Sequence, residues 1–215
     1  MLVKDLMTRP VITVQESTTV GEALEMQKRQ GIRHLPVISF DQSLLGIVSE
    51  SDLVKVFPIG KDLSPFEVNL LSRTPVSKVM RGKLVTIAPQ KLIEEAALIM
   101  RTENIGSLPV ADENGKLVGI VTKNDIMDAV ISALGLEDGG MRITIAYKKK
   151  WGFLAGLIEF ADKRNVYIDN LVTFDSEIVI KIKDKASDFI NDLKKAGYDV
   201  IDISYLDSAP KAKAE

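Results

Sequence analysis

Two stretches of the chain place apolar residues at helical spacing and then switch to strand-like runs. Val20, Ala23, Leu24 and Met26, with Gln27 beside them, make one stripe; Ile93, Ala96, Ala97 and Met100 make the other. A short extended piece precedes each helix, Val11 to Val14 and Leu84 to Ile87. Two apolar runs follow each helix: IRHLPVI and LLGIV after the first, IGSLPVA and LVGIV after the second. The turns SFDQS and DENGK join them as hairpins. Thr18 or Thr19 is placed to cap the first helix, and Pro89 suits the opening turn of the second. Gly31 and Asn104 are placed to end them. A last helix is expected from Ser49 and again from Thr122, so the order β-α-β-β-α occurs twice.

The two copies are in register over a shift of 73 residues. Without a gap, 14 of 51 aligned positions are identical, among them Met7 with Met80, Thr13 with Thr86, and Asp52 with Asp125. Leu-Pro-Val at residues 35–37 falls on residues 108–110, and Gly-Ile-Val at 46–48 falls on 119–121. Two copies are too few for a solenoid and predict a pseudo-symmetric pair. Between them SPFEVNLL reads as a helical insert, with Ser64 as cap, Pro65 in the first position and Glu67 closing a capping box.

After GLEDGG the repeat stops. MRITIAY reads as a strand and WGFLAGLIEFADKRN as a helix with Phe153, Leu154, Leu157, Ile158, Phe160 and Ala161 inward. VYIDNLVTF and EIVIKIK form a hairpin, ASDFINDLKKAG a helix closed by Gly197, and YDVIDISYL a final strand. The order βαββαβ is that of a ferredoxin-like unit. The fold class is α+β (mixed α/β). The expected division is residues 1–57, first repeat; 58–75, helical insert; 76–134, second repeat; 135–140, linker; 141–207, ferredoxin-like domain; 208–215, a frayed polar tail.

Composition narrows the function classes. The chain has 215 residues, a net charge of -2, one histidine and no cysteine. Disulfides, thiol catalysis and thiolate metal sites are excluded, and no global charge favours nucleic acid or anionic membrane. Neither a signal-type apolar region nor a stretch of bilayer-span length is present, which sets the expectation of a cytoplasmic protein. There is no P-loop, no dinucleotide-binding glycine loop, no H-E-x-x-H and no basic helix-turn-helix.

The phrase GIVSESD, repeated as GIVTKND, is where chemistry concentrates. A strand ends there and a helix begins, and a helix N-terminus attracts phosphate. Ser49 or Thr122 adds a hydroxyl; Asp52 or Asp125 stands one turn in, and its two oxygens match the vicinal hydroxyls of a ribose. The same [ST]-x-x-[DE] spacing is a capping box, which needs no ligand. Both roles are compatible.

The early Thr, the Leu-Pro-Val strand and G-I-V-[ST]-x-x-D, each present twice, resemble a tandem CBS pair, or Bateman module, over residues 1 to 135. The resemblance implies adenosyl ligands (AMP, ADP or ATP, with S-adenosylmethionine ranked behind them) in two clefts between the repeats. Ile12 and Val85, with Leu35-Pro36 and Leu108-Pro109, would then sandwich the base, Thr13 and Thr86 would join the nucleotide site, and Asp52 and Asp125 would take the ribose. Basic residues before Leu-Pro-Val meet phosphate in such proteins. This points to Arg33 and His34 in the first copy, where the second has Gly106 and Ser107; Lys123 is a further phosphate candidate. The solvated or packed readings of His34 and Lys123 stay open.

The last third resembles an ACT domain, a regulatory module that binds amino acids where its first strand meets its first helix. The corresponding turn is Trp151, Gly152, Phe153 and Leu154, with lysines in place of the family's acid and Trp151 in place of its proline. Trp151 would fill such a pocket or pack on a partner. A CBS pair followed by an ACT domain is similar to the AcuB-type proteins of acetoin utilisation. The resemblance implies a non-catalytic, energy-sensing regulator that forms homodimers and acts on an unidentified protein, with neither membrane nor nucleic acid as partner. The competing readings are an enzyme acting on a nucleotide and a transcriptional or metabolic regulator in which the ACT domain senses an amino acid.

Overall fold

The computed structural model describes residues 1–58, 60, 62–147, 149–183 and 187–207. The expected tail, 208–215, and Lys148 of the lysine run lie outside them. The chain divides into two compact units, Met1–Ile126 and Met127–Glu215.

In the first unit α1 (Val3–Leu6) is followed by β1 (Val14–Gln15), α2 (Val20–Gln30), β2 (His34–Ile38), β3 (Leu44–Ser49) and α3 (Glu50–Val54). The insert is α4 (Pro65–Ser72). A 3-10 turn at Val76–Lys78 then replaces α1, and α5 (Ile93–Thr102), β4 (Ser107–Ala111) and β5 (Leu117–Thr122) follow; α6 (Lys123–Ala133) completes the second copy, its residues from Met127 onward belonging to the second unit. The caps fall where the polar residues predicted them. Thr19 and Glu22 box the start of α2, Ser64 and Glu67 that of α4, and Gly31 closes α2 in the left-handed region.

The hairpins repeat their register. His34 faces Ser49 and Leu35 faces Val48; Ser107 faces Thr122 and Leu108 faces Val121. Each has its irregularity at the same place, Val37/Ile38 and Val110/Ala111. Leu35, Val37 and Val48 pack with Val20, Ala23, Leu53 and Val76 in a fully buried cluster. Each large side chain so buried contributes about 1.5–3 kcal/mol before entropy is counted.

The extended pieces are shorter than expected. β1 has two residues, parallel to β2. Its counterpart shrinks to one bridge between Ile87 and Val110. Ile87 bonds β4 through both its N–H and its C=O. Pro89, next along that edge, has no N–H to continue the ladder. Nor does Pro89 open α5: Leu92 is the cap residue, and the Pro89 carbonyl accepts from Lys4 in α1.

The second unit is a four-stranded antiparallel sheet with two helices. β6 (Gly140–Ala146), α7 (Phe153–Asp162), β7 (Ile168–Thr173), β8 (Glu177–Ile182), α8 (Ser187–Lys195) and β9 (Val200–Leu206) follow in βαββαβ order. The sheet order is β7-β8-β6-β9, as in ferredoxin-like units. Met141, Ile143 and Ile145 of β6 and Ile178, Ile180 and Ile182 of β8 point to one face by strand alternation. There they meet Leu157, Ala161, Phe189, Ile190 and Leu193 of the helices. Ile158 is a correction to the inward set: it is 54% exposed, because the stripe runs through Leu157 and Ala161 one turn apart.

Candidate functional site

Ser49 ends β3 and caps α3. Its N–H and hydroxyl donate to Asp52 Oδ2, and the Asp52 N–H returns a bond to Ser49 Oγ at 3.3 Å. Thr122 and Asp125 repeat the arrangement, with Thr122 N–H and Oγ1–H donating to Asp125 Oδ2 at 2.6 and 2.8 Å. The capping box is therefore formed in both copies. It uses one oxygen of each carboxylate and leaves Oδ1 for another partner.

The glycine of the phrase has a packing reason. Arg81 N–H donates to the Ile47 carbonyl at 3.0 Å, laying the chain that opens the second copy against β3. A Cβ on Gly46 would lie 2.8 Å from the Arg81 carbonyl oxygen and 3.0 Å from Met80 Sδ. The mirror contact is Thr8 on Ile120 at 2.9 Å, with Met7 over Gly119. Each repeat's opening segment thus docks on the other repeat's last strand, and only glycine admits the close approach.

This crossing builds a cleft of 160 Å³ in the first unit. It is lined by Ser49, Ser51 and Asp52 of the β3–α3 junction, by Arg81, Lys83, Leu84 and Val85 of the segment that opens the second copy, by Asn104 to Ser107 and Pro109, and by His34 and Ile47. Arg81 Nε and Nη2 both lie 3.4 Å from Asp52 Oδ1. These bonds are long, and the Arg81 side chain is 46% exposed. Lys83 is held by Glu103 at 2.8 Å. Burial pushes the Asp52 carboxyl up, but the Ser49 bonds and the Arg81 charge outweigh it and hold Asp52 below the usual carboxylate value. His34 lies against Gly106, where a Cβ would stand 2.9 Å from Nε2. Its burial, aided by Arg33, Arg81 and Lys123 and opposed by Asp52, holds the imidazole below its ordinary pKa and so neutral at pH 7.

Six of the residues singled out from sequence line this cleft: His34, Ser49, Asp52, Val85, Ser107 and Pro109. Leu35 and Leu108 are fully buried in the core, not on a cleft wall. Ile12, Thr13, Arg33, Pro36, Thr86, Thr122, Lys123 and Asp125 do not line it. The 73-residue shift carries Val85, Gly106, Pro109, Ser49 and Asp52 onto Ile12, Arg33, Pro36, Thr122 and Asp125, the counterpart positions of the other half. Arg81 and Lys83 were missed. Their signal was a departure from the repeat, since Thr8 and Pro10 stand at their places in the first copy.

At the second unit's turn, Trp151 is fully exposed and fills no pocket of this chain. The Phe153 ring instead packs 5.4 Å from Tyr147 and 5.6 Å from Tyr198. Among the described residues no His, Cys, Asp or Glu cluster could hold a metal, and no helix is long and apolar enough to cross a membrane.

The CBS domain family matches residues 3–59 and 76–132, more than half of the chain and the same two copies that share the crossing. The chain belongs to the CBS-domain family. Its CBS pair is 35% identical over 136 residues to a CBS domain-containing protein of Dictyostelium discoideum, covering 62% of this chain and 94% of that one. A homoserine O-acetyltransferase of Methanosalsum zhilinae is 33% identical over 124 residues, but these are 58% of this chain and only 23% of the enzyme. Among solved structures, the AcuB acetoin utilization protein of Vibrio cholerae, described there as putative, shares 33% identity at a TM-score of 0.53, covering 63% of this chain and 94% of its own. The CBS pair of protein MJ0100, solved with 5′-methylthioadenosine and S-adenosyl-L-methionine, gives 26% and 0.53 over 61% and 97% of the two chains. CBSX2 with AMP gives 29% and 0.51 over 61% and 96%. CBS pairs similar to this one therefore bind adenosyl ligands, consistent with a regulatory adenosyl-binding role here.

Proposed function

We propose that the protein is a non-catalytic cytoplasmic sensor whose CBS pair binds an adenine nucleotide and passes the occupancy to a partner or to its own oligomer. The observation that carries this reading is the arrangement around Asp52. A carboxylate with one oxygen outside its cap faces Arg81, Lys83 and His34 across a cleft walled by Ile47, Leu84, Val85, Ile105 and Pro109. The carboxylate suits a ribose hydroxyl, the cations a phosphate, and the apolar wall a base. At 160 Å³ the cleft is below the ~300 Å³ at which pockets for drug-sized ligands begin. Binding then moves Arg81 off Asp52 and onto the phosphate. Charge is conserved in that exchange: the ribose takes the carboxylate and the phosphate takes the guanidinium. A switch requires a ligand with different affinity for two states, and an Arg81 that changes partner supplies two states.

Phe66 and Leu70 of α4 and Leu98 of α5 are exposed apolar residues, which supports association into a homodimer. The ferredoxin-like unit is proposed as an ACT-type module for a second signal or for assembly. The deciding experiment is a calorimetric panel of adenosine, AMP, ADP, ATP and S-adenosylmethionine, with the recovered ligand checked for turnover. Saturable binding of at least one phosphorylated member without turnover supports a sensor. Hydrolysis or transfer would put the enzyme reading in its place.

A further inference from the structure

The second unit has a cleft of its own, on the sheet face turned away from α7 and α8. It measures 300 Å³ and is lined by Leu134, Leu136, Arg142, Asn170, Val172, Phe174, Val179, Lys181 and Leu206. By strand alternation Arg142 and Lys181 point opposite to the core residues Met141, Ile143, Ile180 and Ile182. Register puts Asn170, Lys181 and Arg142 in one row across β7, β8 and β6. An outer sheet face of this kind is ordinarily wet. Here Lys181 is 3% exposed, Thr144 5% and Val179 7%. The chain after α6 lies over it: Asn170 Nδ2 donates to the Ala133 carbonyl at 3.0 Å, and Leu134 and Leu136 follow.

The buried ammonium is poorly matched. Its acid partner is Asp169 Oδ2, 3.9 Å away, beyond hydrogen-bond reach, and that oxygen is itself buried without a hydrogen bond. A buried charge without close partners is costly, and here it borders a cavity beside a second cation, Arg142. The other walls are leucine, valine and phenylalanine. One anionic head group with an apolar body satisfies both features: the head takes Lys181 and Arg142, and the body takes Leu134, Leu136, Val172 and Leu206. We infer that this cleft binds a small apolar monocarboxylate, of the size of hexanoate. An amino acid fits less well, because its ammonium would stand beside Lys181 and Arg142, while Asp169 is not among the residues that line the cleft. The cleft owes nothing to the Trp151–Leu154 turn, and the inference does not rest on adenosyl binding in the CBS pair.

The test titrates hexanoate, hexanamide and leucine into the full chain, followed by calorimetry and by backbone amide shifts. Hexanoate is expected to bind saturably at millimolar concentration or below and to shift residues 134–136, 142, 170–174 and 179–181. Hexanamide, which keeps the body and loses the charge, is expected to bind at least about tenfold more weakly. Lys181→Met keeps the alkyl stem and is expected to abolish that preference. If it does not fold, Arg142→Leu carries the same expectation, and Val172→Trp should close the cleft to both compounds. Equal binding of acid and amide, tighter binding of leucine, shifts confined to residues 34–109, or no saturable binding of hexanoate would each overturn the inference.

Discussion

The two halves of the CBS pair share a scaffold and differ in charge. Asp52 and Asp125 sit in the same capping box, Met80 and Met7 pack on equivalent glycines, and Arg81 and Thr8 make equivalent backbone bonds to Ile47 and Ile120. Around the first carboxylate stand Arg81 and Lys83; the repeat places Thr8 and Pro10 at the corresponding positions of the second. Arg33 has Gly106 as its counterpart, a second place where the copies differ in charge. Backbone contacts are therefore held equal while side-chain charge is free to diverge. A pseudo-symmetric fold can thus keep two equivalent carboxylates and vary the charge around each.

The largest expected effect comes from removing the shared element. Asp52→Ala is expected to weaken nucleotide binding at the first cleft roughly tenfold or more, the worth of a charged hydrogen bond. It also removes the carboxylate half of the capping box, which accepts from the Ser49 N–H, and leaves Ser49 itself as the cap. Asp52→Asn separates the two, since the amide oxygen still accepts from Ser49. Calorimetry beside urea unfolding reads both. An Asp125→Ala protein that loses the same ligand at the same site would break the assignment of Asp52 to the first cleft.

The glycines test the equality of the scaffold. At Gly46 an added methyl meets the Arg81 carbonyl, a rigid backbone atom, whereas at Gly119 it meets the flexible Met7 side chain. Gly46→Ala is expected to cost about 1–3 kcal/mol in urea unfolding, the usual cost of overpacking. Gly119→Ala is expected to cost less. The reverse order would mean that the two crossings are not held alike.

The smallest effect is a pH dependence. His34 has a lowered pKa in the folded state, so the unfolded chain binds its proton first. Its contribution to stability is complete above the unfolded value of about 6.5 and is lost as pH falls from there toward the lowered folded value. Lowering the pH from about 7 to about 5 should therefore destabilise the wild type more than His34→Gln, measured as the difference in Tm. Parallel curves would remove His34 from the buried, cation-facing position described for it.

Much of this was legible in the primary structure because repetition made it redundant. The β3–α3 junction showed itself twice, and the capping reading and the ligand reading of Asp52 both name real constraints on the same side chain. The ferredoxin-like order was legible because isoleucine recurs at every second position, Ile143 and Ile145 in β6 and Ile178, Ile180 and Ile182 in β8. What stayed hidden was long-range. Nothing local says that Arg81 crosses to β3, since that contact depends on docking between repeats, and a shift to an unequal residue reads as mere divergence. Leu35 and Leu108 looked like base contacts because a strand beside a cleft has two faces, and sequence does not say which side chain turns inward. The Lys181 cleft was illegible for the same reason: an alternating strand with one lysine normally means an exposed lysine.

The central claim is that Arg81 exchanges Asp52 for a phosphate. It is tested most directly by titrating adenosine and AMP into the wild type and into Arg81→Thr, which installs the residue of the other half. The account predicts that the wild type prefers AMP, and that the substitution lowers AMP affinity about tenfold while adenosine binding holds or improves, because Asp52 loses a competitor. An equal loss for adenosine and AMP, or no loss for either, would contradict it.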